Sequence, residues 1–256
     1  MIVNRTAQLR YSDILRDLEG FDGWLRSLGV PVRTMDRAHC AVQKLERAHQ
    51  AFVNDTDHAE GVSKADYLFA LTEALELRDV YRAFRFHPPE QLCDRLNRAL
   101  SGPLLPDAET AKNSDGRNVM FELALGAEWA LCGGNIEFVE PDLLLRTPDR
   151  CYLVACKRPE HEHAIRAAVR GAASQLRAAL SPASIDHFGI VAISLSRVLN
   201  RGNVYFSGRY EDLSELLNGL MNTIGRIGEQ PTFTHATSRS SFMLRLLQIG
   251  ARDCTD

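Results

Sequence analysis

The chain has 256 residues, 45% hydrophobic and 25% charged. This is the make-up of a globular protein with room for one large domain or two small ones, and it excludes disorder as the default. The net charge of −3 is spread evenly, with 14 basic and 17 acidic residues up to position 110 and 16 of each beyond it. Such a balance excludes a histone-like polycation but leaves room for a local phosphate-binding groove.

Met1 to Arg10 lacks the apolar run and cleavage site of a secretory signal, and no stretch reaches the roughly 18 apolar residues needed to cross a bilayer. The expectation is a cytoplasmic, soluble chain with no membrane partner. Cys40, Cys93, Cys132, Cys151, Cys156 and Cys254 are scattered without a CxxC pair or zinc-type spacing, as suits reduced thiols.

The first hundred residues read as helices. Met35, Ala38, Val42, Leu45, Ala48 and Phe52 recur at three- and four-residue steps and form one apolar stripe; similar patterns run over about 12–27, 64–86 and 89–101. Asn54 to Ser63 is a polar break, and Pro88-Pro89 stops the third helix. Ser101 to Arg117 is rich in Pro, Gly, Asp and Ser, which suits a linker. The expected division is therefore a helical N-terminal domain over 1–110 and a second domain over 111–256. The helical part offers a surface for self-association or for a protein partner.

Beyond the linker the periodicity changes. A helix over Asn118 to Cys132 precedes three short strands (Asn135 to Glu140, Asp142 to Arg146, Cys151 to Lys157), a long Ala-rich helix (His161 to Leu180) and a very apolar strand (Phe188 to Leu195). Thr147-Pro148-Asp149-Arg150 has turn chemistry, so the second and third strands should form a hairpin. The tail is expected to add a strand at Asn203 to Phe206, a helix over about 210–225, a strand near 232–236 and a helix over about 239–251. The class is α/β, a mixed sheet flanked by helices behind an all-helical domain.

Four features in this second part carry chemistry. Phe121-Glu122-Leu123 lies on the first helix, where Val119, Leu125, Gly126 and Trp129 turn the Glu122 carboxylate toward an apolar face; Glu128 is the alternative acid on the same helix. Pro141-Asp142 opens the second strand. Ala155-Cys156-Lys157-Arg158-Pro159 ends the third, with Leu153, Ala155 and Lys157 on one face and Tyr152, Val154 and Cys156 on the other. Gln175 sits on the Ala-rich helix beside the small residues Ala164, Ala168, Gly171, Ala172 and Ala179. Each has an ordinary reading alone: Pro-Asp is a common turn, a lysine at a strand end is usually solvated, and a glutamine on an Ala-rich helix usually faces water. Their weight comes from their order around the strands.

That order, over about residues 117 to 195, resembles the PD-(D/E)XK nuclease superfamily and its restriction-endonuclease-like fold. The family pattern would read Glu-Cys-Lys-Arg-Pro where this chain has Ala155-Cys156-Lys157-Arg158-Pro159, so the chain departs from it at Ala155. The resemblance implies a phosphodiesterase using Mg²⁺ or Mn²⁺, acting on nucleic acid, DNA ahead of RNA. It assigns metal ligation to Asp142, to the residue at 155 and to Glu122, phosphate contact or water activation to Lys157, and an amide near the metal to Gln175. Hard cations need an oxygen cluster of this kind, and a shared ion requires Asp142 and Ala155 within about 10 Å at Cα.

With alanine at 155 the expected set loses a carboxylate. A single engineered Glu-to-Ala change, of the kind made to silence a toxic nuclease or trap its substrate, would leave the other four site residues in place, as found here. The competing reading is a non-catalytic nucleic-acid-binding or scaffold protein that kept the fold. His161-Glu162-His163 falls at a helix start, where acidic and polar residues suit the dipole. Residues 146 to 177 carry seven Arg or Lys against three acids, an excess that favours a phosphate backbone. Arg166, Arg170 and Arg177, however, share a face almost opposite Gln175.

Overall fold

The structure is a computed structural model that describes residues 11–33, 36–54, 62–105, 108–110, 112–180, 187–199, 233–237 and 244–249. The helical first part contains α1 (Tyr11–Leu18), α2 (Phe21–Ser27), α3 (Arg37–Val53), α4 (Lys64–Phe84) and α5 (Leu92–Ala99). The single helix expected over 12–27 is broken at Gly20. A Cβ there would run into the Tyr81 hydroxyl of α4, so the glycine permits the close approach that stacks Phe21, Trp24 and Tyr81 with ring centroids 5.3–6.0 Å apart. Ser63 starts α4 with a capping box: its hydroxyl accepts from the Asp66 N–H at 3.1 Å, and the Asp66 carboxylate accepts from the Ser63 N–H at 3.2 Å.

The second part follows the expected order as far as β4: α6 (Asp115–Leu131), β1 (Asn135–Phe138), β2 (Leu143–Arg146), β3 (Cys151–Lys157), α7 (Glu162–Ala179) and β4 (His187–Ser194), after which come a short α8 (Ser196–Leu199), β5 (Phe233–Thr237) and β6 (Leu244–Ile249). The strands form one mixed sheet in the order β1-β2-β3-β4-β6-β5. β1/β2 and β2/β3 are antiparallel, and β3 and β4 run parallel with α7 as the crossover. The Thr147–Arg150 turn closes the β2/β3 hairpin, the Thr147 N–H donating to the Arg150 carbonyl at 2.9 Å.

The helix expected over 239–251 is corrected by β6, a strand that pairs antiparallel with β4 and with β5. β4 is apolar on both faces and pairs with β3 along one edge only, so its other row of N–H and C=O groups needs a partner. That tertiary demand outweighs the local helical spacing of Leu244, Leu247 and Gln248. The strand expected at 203–206 and the helix over 210–225 lie outside the described residues.

Side chains alternate cleanly across the sheet. Leu143, Val154, Cys156, Ile190 and Ala192 join the cluster formed with α6. Leu144, Leu153, Ala155, Val191 and Ile193 join the cluster under α7 with Ile165, Val169 and Ala172. The cluster on the α6 side continues through Leu77, Phe84, Leu92 and Leu96 to Ile14 and Trp24. The division near residue 110 thus marks a change in element type, and the core runs on across it. No helix among the described residues is long and apolar enough to cross a membrane.

Candidate functional site

The register of the hairpin brings the Pro-Asp turn to the strand that carries Lys157. Leu143 pairs with Val154 as the last rung of β2, and Asp142 lies in the bend just before it, beside the part of β3 that carries Ala155 and Cys156. The Asp142 carboxylate caps this end of the ladder by accepting from the Cys156 N–H at 2.6 Å. Behind it, the turn is held by the Val139 N–H donating to the Asp142 carbonyl at 3.3 Å. The Asp142 carboxylate therefore lies against the backbone of β3 next to Ala155.

Ala155 itself is fully enclosed, 0% exposed, among Leu153, Ile165, Val169, Ala172 and Val191. Lys157, two residues on and on the same face, is half-buried and emerges into an open groove of about 490 Å³. Ala168, Gly171, Ser174, Gln175 and Ala178 of α7 form the rest of its lining. Gly171 leaves the groove wide, since a Cβ built on it meets nothing within 4 Å. The groove thus joins Lys157 and Gln175. Gln175 is exposed, as are Arg166, Arg170 and Arg177 on the same helix.

Glu122 is turned inward on α6 and only 8% exposed, whereas Glu128 is half-buried. Its partner was not foreseen from the sequence: Arg95 of α5 makes a buried ion pair with Glu122, Nη1 to Oε2. The Arg95 guanidinium lies 5.0 Å from the centroid of the Phe138 ring. A signal for it was present, because Arg95 falls on the stripe of Leu92, Leu96 and Ala99, and a cation on an apolar stripe calls for a buried counter-charge. Burial, then the charge of Asp142, push Glu122 up to about 7 against the pull of Arg95 and Arg98. Burial also raises Asp142, opposed by the Cys156 N–H and by Lys157 and Arg95. The Cys156 thiol is pushed well up by burial and by the same two carboxylates, so it stays protonated and unreactive.

For Mg²⁺ or Mn²⁺ the oxygen set is short. Position 155 supplies no oxygen, one Asp142 oxygen holds a backbone N–H, and Glu122 is paired with a guanidinium. Among the described residues no three His, Cys, Asp or Glu side chains come together as a metal-binding group. The residues as they stand do not fit a hard cation. His161 and His163 stack on each other with centroids 5.1 Å apart where α7 begins.

A second charged cluster lies where β3 and β4 end, again unforeseen in the sequence. Glu109, from the Pro- and Gly-rich segment, is enclosed by three guanidiniums: Arg117 of α6, Arg158 at 3.0 Å and Arg197 of α8 at 3.4 Å. Arg197 also reaches Glu160 at 2.7 Å. Arg158 further donates to the Ser196 hydroxyl at 3.3 Å. The Arg-Pro that follows Lys157 therefore anchors the end of β3 to the segment before α6 and leaves Lys157 as the cation facing the groove. No protein-family model matches the chain, and no curated protein or solved structure is significantly similar to it, so the reading of this site rests on its own residues.

Proposed function

We propose that the chain is a nucleic-acid-binding protein of the PD-(D/E)XK nuclease type, with DNA as the favoured ligand, hydrolytically silent with alanine at 155. A form with glutamate there would be a Mg²⁺- or Mn²⁺-dependent phosphodiesterase with the restriction-endonuclease-like fold. The observation that carries the reading is the Asp142 carboxylate held on the Cys156 N–H, between Ala155 and Lys157, with Lys157 opening into the groove beside Gln175. An ammonium at the head of an open groove suits a phosphate oxygen. The local basic excess would hold a phosphate backbone by counterion release. Cysteines scattered along the sequence without a CxxC pair suit a reducing, cytoplasmic setting.

Two measurements test this. The chain as it stands should bind duplex DNA at low salt, lose affinity as salt rises, and cut nothing. Ala155→Glu should gain cleavage with Mg²⁺ or Mn²⁺, which a further Lys157→Ala or Asp142→Ala should remove. A folded Ala155→Glu protein that binds DNA and cuts neither DNA nor RNA with either ion would replace the enzyme reading with the second one, a scaffold that keeps the fold. The enclosure of Ala155 among apolar side chains favours that second reading.

A further inference from the structure

The two carboxylates nearest the β2/β3 ladder end are not left facing each other. Glu122 projects from α6 and is 8% exposed, Asp142 stands at the head of β2, and the Arg95 guanidinium comes from α5, outside the stretch that carries the nuclease resemblance. Arg95 is itself only 9% exposed. A buried cation of this kind persists where it has both a counter-charge and a surface to lie against. Glu122 is the first, and the Phe138 ring, 5.0 Å from the guanidinium carbon, is the second. Phe138 in turn packs edge-on against Phe84 of α4 at 5.9 Å, which fixes the shelf on which the guanidinium rests.

We infer that Arg95 is a built-in cation that takes the place of a divalent metal at Glu122, competing with any ion for that carboxylate. The inference rests on the proposed site but is not the proposed activity, because it concerns what neutralises Glu122 and not what the groove binds. Its consequence is an altered ligand set: an ion entering the Ala155→Glu protein would be held by Asp142 and the new carboxylate, with Glu122 withheld by the guanidinium. The helical first part of the chain would then control the metal site, through one side chain on α5.

Mn²⁺ alone is the probe, followed by electron paramagnetic resonance and calorimetry on the full chain without nucleic acid. The chain as it stands should show no saturable Mn²⁺ binding. Ala155→Glu should bind one ion. In that background Arg95→Met, which keeps the stem and frees the carboxylate, should tighten Mn²⁺ binding by about 10- to 100-fold, the range over which residues around a metal site alter affinity. Adding Glu122→Gln to the Arg95→Met protein should cancel that gain. Arg95→Gln makes the same comparison should Arg95→Met fail to fold. No gain in a folded Arg95→Met or Arg95→Gln protein, a gain that Glu122→Gln does not cancel, or stoichiometric Mn²⁺ binding by the unaltered chain that Glu122→Gln abolishes, would overturn the inference. Loss of DNA binding or cleavage in any of these proteins would bear on the proposed function and leave the Mn²⁺ result standing.

Discussion

Two buried charge clusters lie on either side of the end of β3, and they are composed in opposite ways. Around Glu109 three guanidiniums converge, from Arg117, Arg158 and Arg197, with Glu160 on Arg197 and with Glu73 and Glu76 of α4 acting on Arg117 and Arg158. Around Glu122 and Asp142 the carboxylates gather, with Arg95 in contact and Lys157 acting on Asp142 from the groove. Charges sealed from water must be matched at short range. The first cluster achieves this by ion pairs that tie three elements together, and burial lowers the affinity of Arg117 and Arg158 for their protons without discharging them. The second leaves Glu122 and Asp142 raised above their ordinary range, but burial also raises Glu76 of α4, beside the first, to about 7. What separates the clusters is composition: the arginine-rich one is a clamp, and the other gathers two carboxylates near the groove-facing Lys157.

The sharpest way to break that distinction is to remove the clamp's anion. Glu109→Gln keeps the shape but takes the contacting carboxylate from Arg117 and Arg158, while Arg197 keeps Glu160, and should cost about 3–5 kcal/mol, read as a shift in the urea midpoint. A loss within about 0.5 kcal/mol, the ordinary range for a surface change, would show that Glu109 does not hold the segment before α6 against the sheet.

The carboxylate cluster should show itself in pH dependence. Glu122 has its folded value raised from 4.5 to about 7, so between those values the folded chain holds the proton more tightly than the unfolded chain does. The associated stability is fully present below the unfolded value and is lost as pH rises through about 7. Over that window the unaltered chain should lose up to about 3 kcal/mol relative to Glu122→Gln. Parallel stability-against-pH curves for the two proteins would remove Glu122 as the group responsible.

Much of the sheet domain was legible in the sequence because its signals are local. The alternation along Leu153 to Lys157, the turn at Thr147 to Arg150 and the small-residue face around Gln175 each lie within a few residues. From them came the placing of Asp142 near the end of β3 and of Lys157 beside Gln175. Partners distant in sequence were not legible: Arg95 meets Glu122 27 residues away and Arg158 meets Glu109 49 residues away, and nothing in either segment names the other. The same limit explains β6, whose spacing reads as helix until the open edge of β4 is known. Gly20 was overlooked for a related reason, since only the approach of Tyr81 makes a glycine necessary there.

Ala155 tests the comparison from inside the carboxylate cluster. Its 0% exposure and apolar neighbours mean that Ala155→Glu extends the side chain well beyond the Cβ and brings a charged carboxylate into a filled space, from which it can reach water only by running toward Lys157. Overpacking of this kind costs about 1–3 kcal/mol, so the variant should melt below the unaltered chain while gaining Mn²⁺ affinity. An unchanged melting temperature would mean that the space under α7 already accommodates a carboxylate.

The smallest effect is expected where charges are paired but not enclosed. Arg146 of β2 reaches Glu137 of β1 at 2.6 Å, closer than the 3.0 Å between Arg158 and Glu109 in the clamp, yet both side chains are 43% exposed. Water and salt screen such a pair, and holding two long side chains in one geometry offsets most of the attraction. Arg146→Ala should therefore move the urea midpoint by less than about 0.5 kcal/mol's worth of stability, although length alone would rank this pair beside Arg37–Glu73, which is 2.7 Å and enclosed. DNA affinity should also hold, because Arg146 sits at the far end of β2 from Asp142 and six of the seven cations between 146 and 177 remain. Should Arg146→Ala instead weaken DNA binding as much as Lys157→Ala does, the phosphate path would run along the β1/β2 edge and not through the groove beside α7.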